Sequence, residues 1–408
     1  MSIILENSIT PLLKYPGGKK NEGKFFHDKL PNQADRYFEP FVGGGALYFS
    51  INITNKHIND ISKELIDFYT YVRDGNKEFL DKLDIINHYW DLLSEVATNN
   101  SSVLVELYTQ FKNDKIKIDA LIKEINVFTL NNASVFNGLL DNDINVGNNN
   151  FLHELDRMLI NKFRRMKKIE MNLIEKEKSE TKTESNTETK TENSYKLLEE
   201  DDIEENISSA FKSALYYHFR YIYNNKDEFN ITNEFYTAIY FFIREYCFSS
   251  MFRYNKDGNF NVPFGGLSYA KKSISEKIKS IKSKKVSDHL KNTEIRNLDY
   301  LTFLEQYDLR RNDFIFLDPP YDTKFSTYAN NTFDLDKHKE LSNFLKKSCQ
   351  AKFMMIIKET PDIKALYENN EVIVNNHTLK VESFKKKYFV SFKDRNTKDV
   401  THLLIYNY

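Results

Sequence analysis

The chain has 408 residues and a formal net charge of −1, and 40% of its residues are hydrophobic. This composition predicts a globular protein with a large core and about two domains. No stretch approaches the roughly 18 apolar residues of a membrane span, and the first residues lack a signal-peptide pattern, so we expect a cytoplasmic protein without membrane contact. Its two cysteines, Cys247 and Cys349, are too few and too far apart for a disulfide framework or a zinc site, and we expect reduced thiols.

The first candidate loop is LLKYPGGKK, which contains Tyr15, Gly17, Gly18 and Lys19. It does not fit the phosphate-binding pattern G-x-x-x-x-G-K-[ST], because Lys20 follows Lys19 and no glycine stands at the required position. Taken alone, the loop fits an ordinary tight turn as well as a ligand loop.

A second glycine-rich stretch, RYFEPFVGGGALYFS, predicts a short strand, a turn at Gly43 to Gly45 and a helix after it. Glycine lets the backbone turn sharply and approach a ligand closely. Tyr48 stands where the dinucleotide fingerprint has its third glycine, which argues against a nicotinamide cofactor. The next predicted strand leads to Asp60, at the position where an acid commonly binds ribose hydroxyls. For Asp60 alone, a helix cap is the alternative.

The middle of the chain is predicted to be helical. Apolar residues follow helical spacing between 77 and 174, for example at Leu83, Ile86 and Trp90. Ala210 to Phe248 is also helical, and its many aromatic side chains are expected to form core rather than a cofactor site.

A low-complexity segment interrupts these helices. Glu175 to Asn206 contains 12 acidic residues and 5 lysines, which leaves a balance of +6 for the remaining chain. Its central part, 179–194, is almost without apolar residues and predicts an exposed, disordered linker. Basic runs at Lys162 to Lys168 and Lys271 to Lys285 suit phosphate contact, although each alone is more typical of a solvated helix face.

Near the end of the chain, Phe314 to Leu317 predict a buried strand, because apolar and β-branched or aromatic residues follow one another without polar alternation. The strand must end at Asp318, since Pro319 and Pro320 cannot donate ladder hydrogen bonds. The turn therefore presents an acid and Tyr321 at a strand end, where ligands bind in open α/β sheets.

Further strands are predicted at 352–358 and 371–375, followed by an antiparallel hairpin of 387–394 and 400–408 around the turn RNTK. An α/β sheet is thus split between the two ends of the chain. The segment RYNKDGNFNVPFGG, from Arg253 to Gly266, predicts another hairpin, with a turn at Asp257 and Gly258.

Taken in order, these motifs resemble the Dam-type class of S-adenosylmethionine-dependent DNA adenine methyltransferases. The resemblance rests on five motifs: Lys14 to Lys19, Glu39 to Gly45, Asp60, Arg253 to Gly266, and Asp318 to Tyr321. It is close at both ends of the chain and in 244–270, whereas 77–240 is similar only in being helical.

The resemblance implies an α/β fold, with a Rossmann-like methyltransferase sheet that ends in an antiparallel hairpin and a mostly helical inserted DNA-recognition domain. Residues 1–76 and 290–408 would form the catalytic S-adenosylmethionine-binding domain. Residues 77–289 would form the helical insertion and target-recognition region, with the low-complexity linker at 175–206.

The chemistry of such an enzyme accounts for the Asp-Pro-Pro-Tyr turn. The exocyclic amine of adenine is a poor nucleophile because its lone pair is delocalised into the ring. The Asp318 carboxylate and the Pro319 carbonyl would hold its two N–H groups, Pro320 would stiffen the turn, and Tyr321 would stack on the base. This is positioning and electrostatic stabilisation, which needs no metal or covalent intermediate. The target base must be flipped out of the duplex.

The resemblance also assigns binding residues. S-adenosylmethionine would contact Tyr15, Lys19, Gly43, Gly45, Asp60 and Asp318. DNA would contact Arg253, Tyr254, Asn255 and Asn261. Arg253 suits a phosphate or a guanine, and Tyr254 and Asn255 would enter the space left by the flipped base.

One departure from the family concerns the target sequence. Members that recognise GATC often have Leu-Arg where this chain has Lys256 and Asp257. An acid beside the DNA backbone weakens binding unless it accepts from a cytosine amine, so GATC is not assigned. The helical insertion and the turn from Ser391 to Asp399 are further candidates for recognition.

Several alternatives stay open at this point. The chain is expected to be a DNA adenine methyltransferase, with a cognate restriction endonuclease as a candidate partner. The nearest alternatives are an RNA adenine methyltransferase and a DNA cytosine-amine methyltransferase, although Asp318 favours adenine over cytosine. A DNA-binding module without catalysis is a third, against which the intact Asp318 and both glycine loops argue.

Overall fold

The structure, a computed structural model, describes residues 3–5, 8–15, 23–139, 148–183, 197–320, 333–367, 373, 378–388 and 398–408. Seven strands form one sheet in the order β3-β2-β1-β4-β5-β7-β6. They are β1 (Arg36–Glu39), β2 (Asn55–Asn59), β3 (Thr293–Arg296), β4 (Phe314–Leu317), β5 (Lys352–Lys358), β6 (Lys380–Tyr388) and β7 (Lys398–Tyr406). Neighbours from β3 to β5 are parallel, whereas β7 is antiparallel to β5 and β6. The predicted Rossmann-like sheet with a terminal antiparallel pair is confirmed.

The predicted strands of this sheet agree with the structure to different degrees. Those at 314–317 and 352–358 are confirmed residue for residue. The antiparallel pair is confirmed too, but β6 begins at Lys380 and not at 387, in a register that runs from Lys380 opposite Tyr406 to Tyr388 opposite Lys398. β6 lies at the sheet edge, where lysines are well tolerated. The strand predicted at 371–375, apart from Ile373, lies outside the described residues, as do 389–394 of the strand predicted at 387–394 and 395–397 of the predicted turn. Lys398, predicted as the last turn residue, begins β7.

The sheet separates two layers of core. Phe314 and Phe316 of β4 belong to one cluster, and Ile315 and Leu317 belong to the other. All four side chains are buried, because successive residues of a strand point to opposite faces. Burial on both faces explains why a central parallel strand is an uninterrupted apolar run.

Helices cover both faces of the sheet and form most of the middle of the chain. In the described residues they are α1 (Lys63–Asp74), α2 (Lys77–Asn99), α3 (Ser101–Lys112), α4 (Ile118–Asn131), α5 (Ala133–Leu139), α6 (Asn148–Thr183), α7 (Glu200–Asn224), α8 (Lys226–Phe229), α9 (Asn233–Tyr246), α10 (Leu267–Ala270), α11 (Ser275–Ile281), α12 (Lys284–Lys291), α13 (Tyr300–Glu305), α14 (Leu335–Lys347) and α15 (Pro361–Tyr367). Within these ranges no helix has the length and apolar character needed to cross a membrane.

Aromatic packing joins the helical region to the sheet half of the molecule. Phe68 of α1 stacks on Phe241 of α9, with ring centroids 5.8 Å apart. Trp90 of α2 packs on Tyr246 at the end of α9, with centroids 4.0 Å apart. Most aromatic side chains of 210–248, including Phe241 and Tyr246, are buried, which confirms the prediction that they form core; Tyr221 and Phe248 are exposed.

Two local predictions were wrong. The helix expected after Gly45 is only a 3-10 turn, Tyr48–Ser50. Leu47, Tyr48 and Phe49 are all buried, and three consecutive buried side chains do not fit the single apolar face of a surface helix.

The second correction concerns the linker predicted at 175–206. The helix α6 continues to Thr183 and α7 begins at Glu200, so both ends of the segment are helical. Glu and Lys have high helix propensity, and the Asp202 side chain accepts a hydrogen bond from the Glu199 N–H at the start of α7. Residues 184–196 lie outside the described residues.

Candidate active site

Three neighbouring strands bring the predicted site residues to one edge of the sheet. β1 pairs in parallel with both β2 and β4, so the segments that follow Glu39, Asn59 and Leu317 leave the sheet on the same side. These segments carry the glycine loop, Asp60 and Asp318. Strand order reverses between β1 and β4, and such a switch point is where open α/β sheets bind ligands.

The glycine loop has two residues in the left-handed region that favours glycine. φ is 47° at Gly43 and 67° at Gly45. The Gly45 N–H donates to the Val42 carbonyl at 2.7 Å, and the Tyr69 hydroxyl donates to the Gly43 carbonyl at 2.9 Å. A Cβ added at Gly43 would lie 3.1 Å from the ring of Tyr15. The loop is therefore a tight turn whose surroundings leave no room for a side chain at this position.

Asp60 holds this loop in place. Its Oδ2 accepts from the Gly43 N–H at 3.0 Å, and its Oδ1 accepts from the Ser62 N–H at 3.0 Å. Burial raises the pKa of the carboxyl, while both hydrogen bonds and the Arg244 guanidinium act in the opposite direction. Ser62 is the N-cap of α1, since its side chain accepts from the Leu65 N–H, so the cap alternative for Asp60 is wrong. Each carboxylate oxygen retains a second lone pair for a ligand hydroxyl.

Glu39, Asp60 and Asp318 form a group of carboxyls at this edge. Oε2 of Glu39 accepts from the Tyr37 hydroxyl at 2.7 Å. Burial raises the pKa of Glu39 well above its usual range; Tyr37 opposes this shift, and the nearby carboxyls of Asp318 and Asp60 add to it. The three carboxyls thus lie close enough for Asp318 and Asp60 to act electrostatically on Glu39.

The Asp-Pro-Pro turn presents its acid to the site. Asp318 is partly exposed, Pro319 is buried and Pro320 is exposed. Asp318 directly follows β4, as predicted. Tyr321 lies outside the described residues.

Tyr15 lies between the glycine loop and the helical region. The guanidinium carbon of Arg244, in α9, lies 4.3 Å from the centroid of the Tyr15 ring and 4.1 Å from that of Phe252. Burial and Asp60 raise the pKa of the Tyr15 phenol well above its usual value, and Arg244 partly offsets them. The predicted cofactor loop is thus in direct contact with a helix of the insertion.

Lys14 fastens the same segment to α9. Its N–H donates to Oε1 of Glu245 at 3.1 Å, and its Nζ donates to the Glu245 carbonyl at 3.0 Å. Lys277 of α11 donates to the same Oε1 at 2.6 Å. Glu245 therefore ties together the start of the chain and two helices. Gly17, Gly18 and Lys19 lie outside the described residues.

The hairpin predicted within Arg253 to Gly266 is confirmed. The Asn255 N–H donates to the Asn259 carbonyl at 2.8 Å, and the Asn261 N–H donates to the Arg253 carbonyl at 3.1 Å. Gly258 at the tip has a φ of 79°. The tip, residues 256–259, is exposed.

The candidate DNA-binding residues Tyr254 and Asn255 form side-chain hydrogen bonds inside the protein. Oδ1 of Asn255 accepts from the N–H groups of Asp257 and Asn259, at 3.0 and 2.9 Å. The Tyr254 hydroxyl lies 3.2 Å from the Tyr223 hydroxyl. Asn261 is exposed and Arg253 is half-buried. Asn255 organises the tip of the hairpin, and the DNA contacts of all four side chains stay predictions.

The structure places Tyr15, Gly43 and Asp60 in one cluster, and Asp318 acts electrostatically on Glu39, as Asp60 does. Phe252 and Arg244 connect the hairpin to this cluster, since the Arg244 guanidinium lies against the rings of both Phe252 and Tyr15. Arg244 and Glu245 were not among the predicted site residues. Their signal was an adjacent charged pair inside the otherwise apolar helix FYTAIYFFIREYCF, because buried charges need partners.

Comparison with known proteins assigns the chain to a family. The description of the matching family is D12 class N6 adenine-specific DNA methyltransferase, and the matched residues are 15–205 and 169–381. The chain belongs to this family. The resemblance inferred from the five sequence motifs is thereby confirmed.

Relatives of this D12-class chain are named either type II methyltransferase or DNA adenine methylase. The type II methyltransferase M.CviBI of Paramecium bursaria Chlorella virus NC1A is 34% identical over 171 residues, 41% of this chain and 59% of that protein. The type II methyltransferase M1.LlaDCHI of Lactococcus lactis subsp. cremoris is 27% identical over 172 residues, 33% and 60% of the two chains. A DNA adenine methylase of Vibrio cholerae is 26% identical over 149 residues, 34% and 50%. The chain thus spans about half to three fifths of these relatives.

Methyltransferases of this kind generally use S-adenosylmethionine, and the D12-class site here fits that molecule. The glycine loop is a tight turn held at the carboxyl end of β1, where open α/β sheets bind ligands. Asp60, whose oxygens accept from the N–H groups of Gly43 and Ser62 beside this loop, is an acceptor of the kind that ribose hydroxyls need. The buried guanidinium of Arg244 supplies donors for an anionic group. This set suits a nucleoside that carries a charged amino-acid tail.

Proposed function

We propose that this protein transfers the methyl group of S-adenosylmethionine to the N6 amine of an adenine flipped out of duplex DNA. The observation that carries the proposal is the position of Asp318. It follows β4 directly and acts electrostatically on Glu39, at the end of β1. An acceptor for the adenine amine therefore stands beside the glycine loop.

In the proposed reaction S-adenosylmethionine supplies an electrophilic methyl group. The Asp318 carboxylate accepts one N–H of the adenine amine and the Pro319 carbonyl accepts the other, which orients the nitrogen lone pair toward that methyl group. The Asp318 carboxylate, which accepts that N–H, would also take the proton that leaves N6. Pro320 restricts the turn, and Tyr321 stacks on the flipped base.

The residues proposed for cofactor binding are Tyr15, Lys19, Gly43, Gly45, Asp60 and Asp318. The contacts among Tyr15, the glycine loop and Asp60 support this assignment. The residues proposed for DNA binding are Arg253, Tyr254, Asn255 and Asn261. The exposed tip of their hairpin, 256–259, supports a surface role.

We assign 1–76 and 290–408 to the catalytic domain and 77–289 to the helical insertion with the target-recognition region. This assignment is supported by the positions of β1 to β7, which all lie before residue 60 or after residue 292. Buried free thiols at Cys247 and Cys349 suit the reducing cytoplasm. The type II names of two relatives support a role in restriction and modification, with a cognate endonuclease as partner.

The proposal is tested by single-molecule sequencing of DNA from a methylation-free host that expresses this chain, beside a host that expresses Asp318→Ala. We expect N6-methyladenine at one sequence motif with the wild type and at none with the variant, while the variant still binds S-adenosylhomocysteine. A folded wild-type protein that modifies no DNA motif would refute the DNA proposal, and methyladenine in cellular RNA would replace it with RNA methylation.

A further inference from the structure

One nitrogen of the Arg244 guanidinium forms no hydrogen bond with the described residues. The residue is only 4% exposed, and its Nε donates to the Tyr240 hydroxyl at 2.8 Å. Its Nη1 is buried and has no hydrogen-bond partner among the described residues. A guanidinium keeps its charge in proteins, and a buried donor without a partner is costly. A ligand that supplies an acceptor would relieve this cost.

The position of the guanidinium indicates which ligand that is. The guanidinium lies against the ring of Tyr15. Tyr15 in turn contacts the glycine loop, because a Cβ added at Gly44 would lie 2.9 Å from the Cβ of Tyr15. Arg244 also acts on the carboxyl of Asp60, whose pKa it lowers. The buried charge therefore stands beside the proposed cofactor loop.

The charge and burial of Arg244 limit which ligand group binds it. A DNA phosphate stays at the surface and does not reach a side chain that is 4% exposed. An adenine base is neutral and offers no anion. The methionyl carboxylate is the one anionic group of S-adenosylmethionine, and a guanidinium presents the planar fork of donors that a carboxylate accepts.

We propose that Arg244 binds the carboxylate of the amino-acid tail of S-adenosylmethionine, an inference that rests on the proposed function. Nη1 donates to that carboxylate, while Tyr240 and the rings of Tyr15 and Phe252 hold the guanidinium plane. Arg244 is then a cofactor-binding residue contributed by the helical insertion. The insertion completes a site whose other residues come from the sheet.

The test compares two ligands by isothermal titration calorimetry in the absence of DNA: S-adenosylmethionine and decarboxylated S-adenosylmethionine. Charge-assisted hydrogen bonds of this kind correspond to about 10- to 100-fold in affinity. We expect wild-type protein to prefer the intact ligand by that factor. Arg244→Met is expected to lose the preference, because binding of the intact ligand weakens about 10- to 100-fold while binding of the decarboxylated ligand changes less than about threefold.

Two further variants keep the test decisive. Arg244→Lys keeps the charge and is expected to restore part of the preference. Lys212→Met removes another buried cation, which bonds to the Ala270 carbonyl and lies over the Trp90 ring, and it is expected to leave the preference unchanged. If Arg244→Met does not fold, the preference for the intact ligand is compared between the wild type and Arg244→Lys.

Each contrary result has its own meaning. Equal weakening of both ligands by Arg244→Met would show that Arg244 only positions Tyr15, and would overturn the inference. A wild type that binds both ligands equally would also overturn it while leaving the proposed function in place. A folded wild type that binds neither ligand would overturn the proposed function itself.

Discussion

Gly45 and Gly75 form a matched pair that tests what fixes the glycine loop. Both have left-handed backbones, with φ of 67° and 60°. A Cβ added at Gly45 would lie 3.0 Å from ring carbons of Phe49 and 3.1 Å from the Tyr69 hydroxyl, whereas at Gly75 it would meet nothing within 4 Å. The pair therefore separates the cost of backbone conformation from the cost of packing.

The expected magnitudes follow from these two costs. A non-glycine residue in the left-handed region loses about 1–2 kcal/mol, and the reduced freedom of the unfolded chain offsets about 0.4–1 kcal/mol of that. Gly75→Ala should therefore lower the free energy of unfolding by about 1 kcal/mol. Gly45→Ala adds overpacking against buried Phe49 and Tyr69, which costs about 1–3 kcal/mol, for a total of about 2–4 kcal/mol.

Urea unfolding followed by circular dichroism measures the difference between the two variants, and calorimetry with S-adenosylhomocysteine reports the loop itself. We expect Gly45→Ala to weaken ligand binding, because the Tyr69 hydroxyl that it displaces holds the Gly43 carbonyl. Gly75→Ala should bind the ligand like the wild type. Equal destabilisation by the two substitutions would refute the packing argument.

Three other substitutions test separate parts of the site. Burial raises the pKa of Glu39 above 4.5 in the folded protein. The wild type should therefore lose stability relative to Glu39→Gln as the pH rises above 4.5, by up to about 1.4 kcal/mol per pH unit. Parallel pH profiles of the two proteins in thermal unfolding would contradict this. Arg253→Ala should weaken duplex binding about 10- to 100-fold in fluorescence anisotropy and leave S-adenosylhomocysteine binding unchanged, and the opposite pattern would misplace the recognition hairpin. Glu245→Gln removes the acid shared by Lys14 and Lys277, and should cost about 1–2 kcal/mol in urea unfolding; an unchanged midpoint would show that the ion pairs add nothing.

Parts of the fold were predictable because one physical signal dominated them. β4 and β5 are buried on both faces, so each is a run of apolar residues that ends where burial ends. The glycine loop was predictable because its conformation favours glycine, and Asp318 because prolines end the strand there. Each of these signals is local in sequence.

Other parts depend on contacts that a single sequence does not reveal. The 3-10 turn at Tyr48–Ser50 arises because its side chains enter the core together. β6 extends back to Lys380 because β7 offers it a partner along that whole length. Arg244 was overlooked because its importance comes from Tyr15, which lies more than two hundred residues earlier in the chain.

Arg244 also connects the proposed cofactor loop to the proposed DNA-binding hairpin. Arg244 lies against Tyr15 on one side and Phe252 on the other, and Phe252 packs on Tyr254 with ring centroids 5.9 Å apart. The proposed cofactor loop and the proposed DNA hairpin are thus separated by two packed side chains, not by a flexible linker. Because packed cores transmit displacement, we expect a ligand bound at Arg244 to restrain the base of the hairpin as well. The proposed cofactor binding and the proposed target recognition would then depend on one connected structure, to which the helical insertion contributes on both sides.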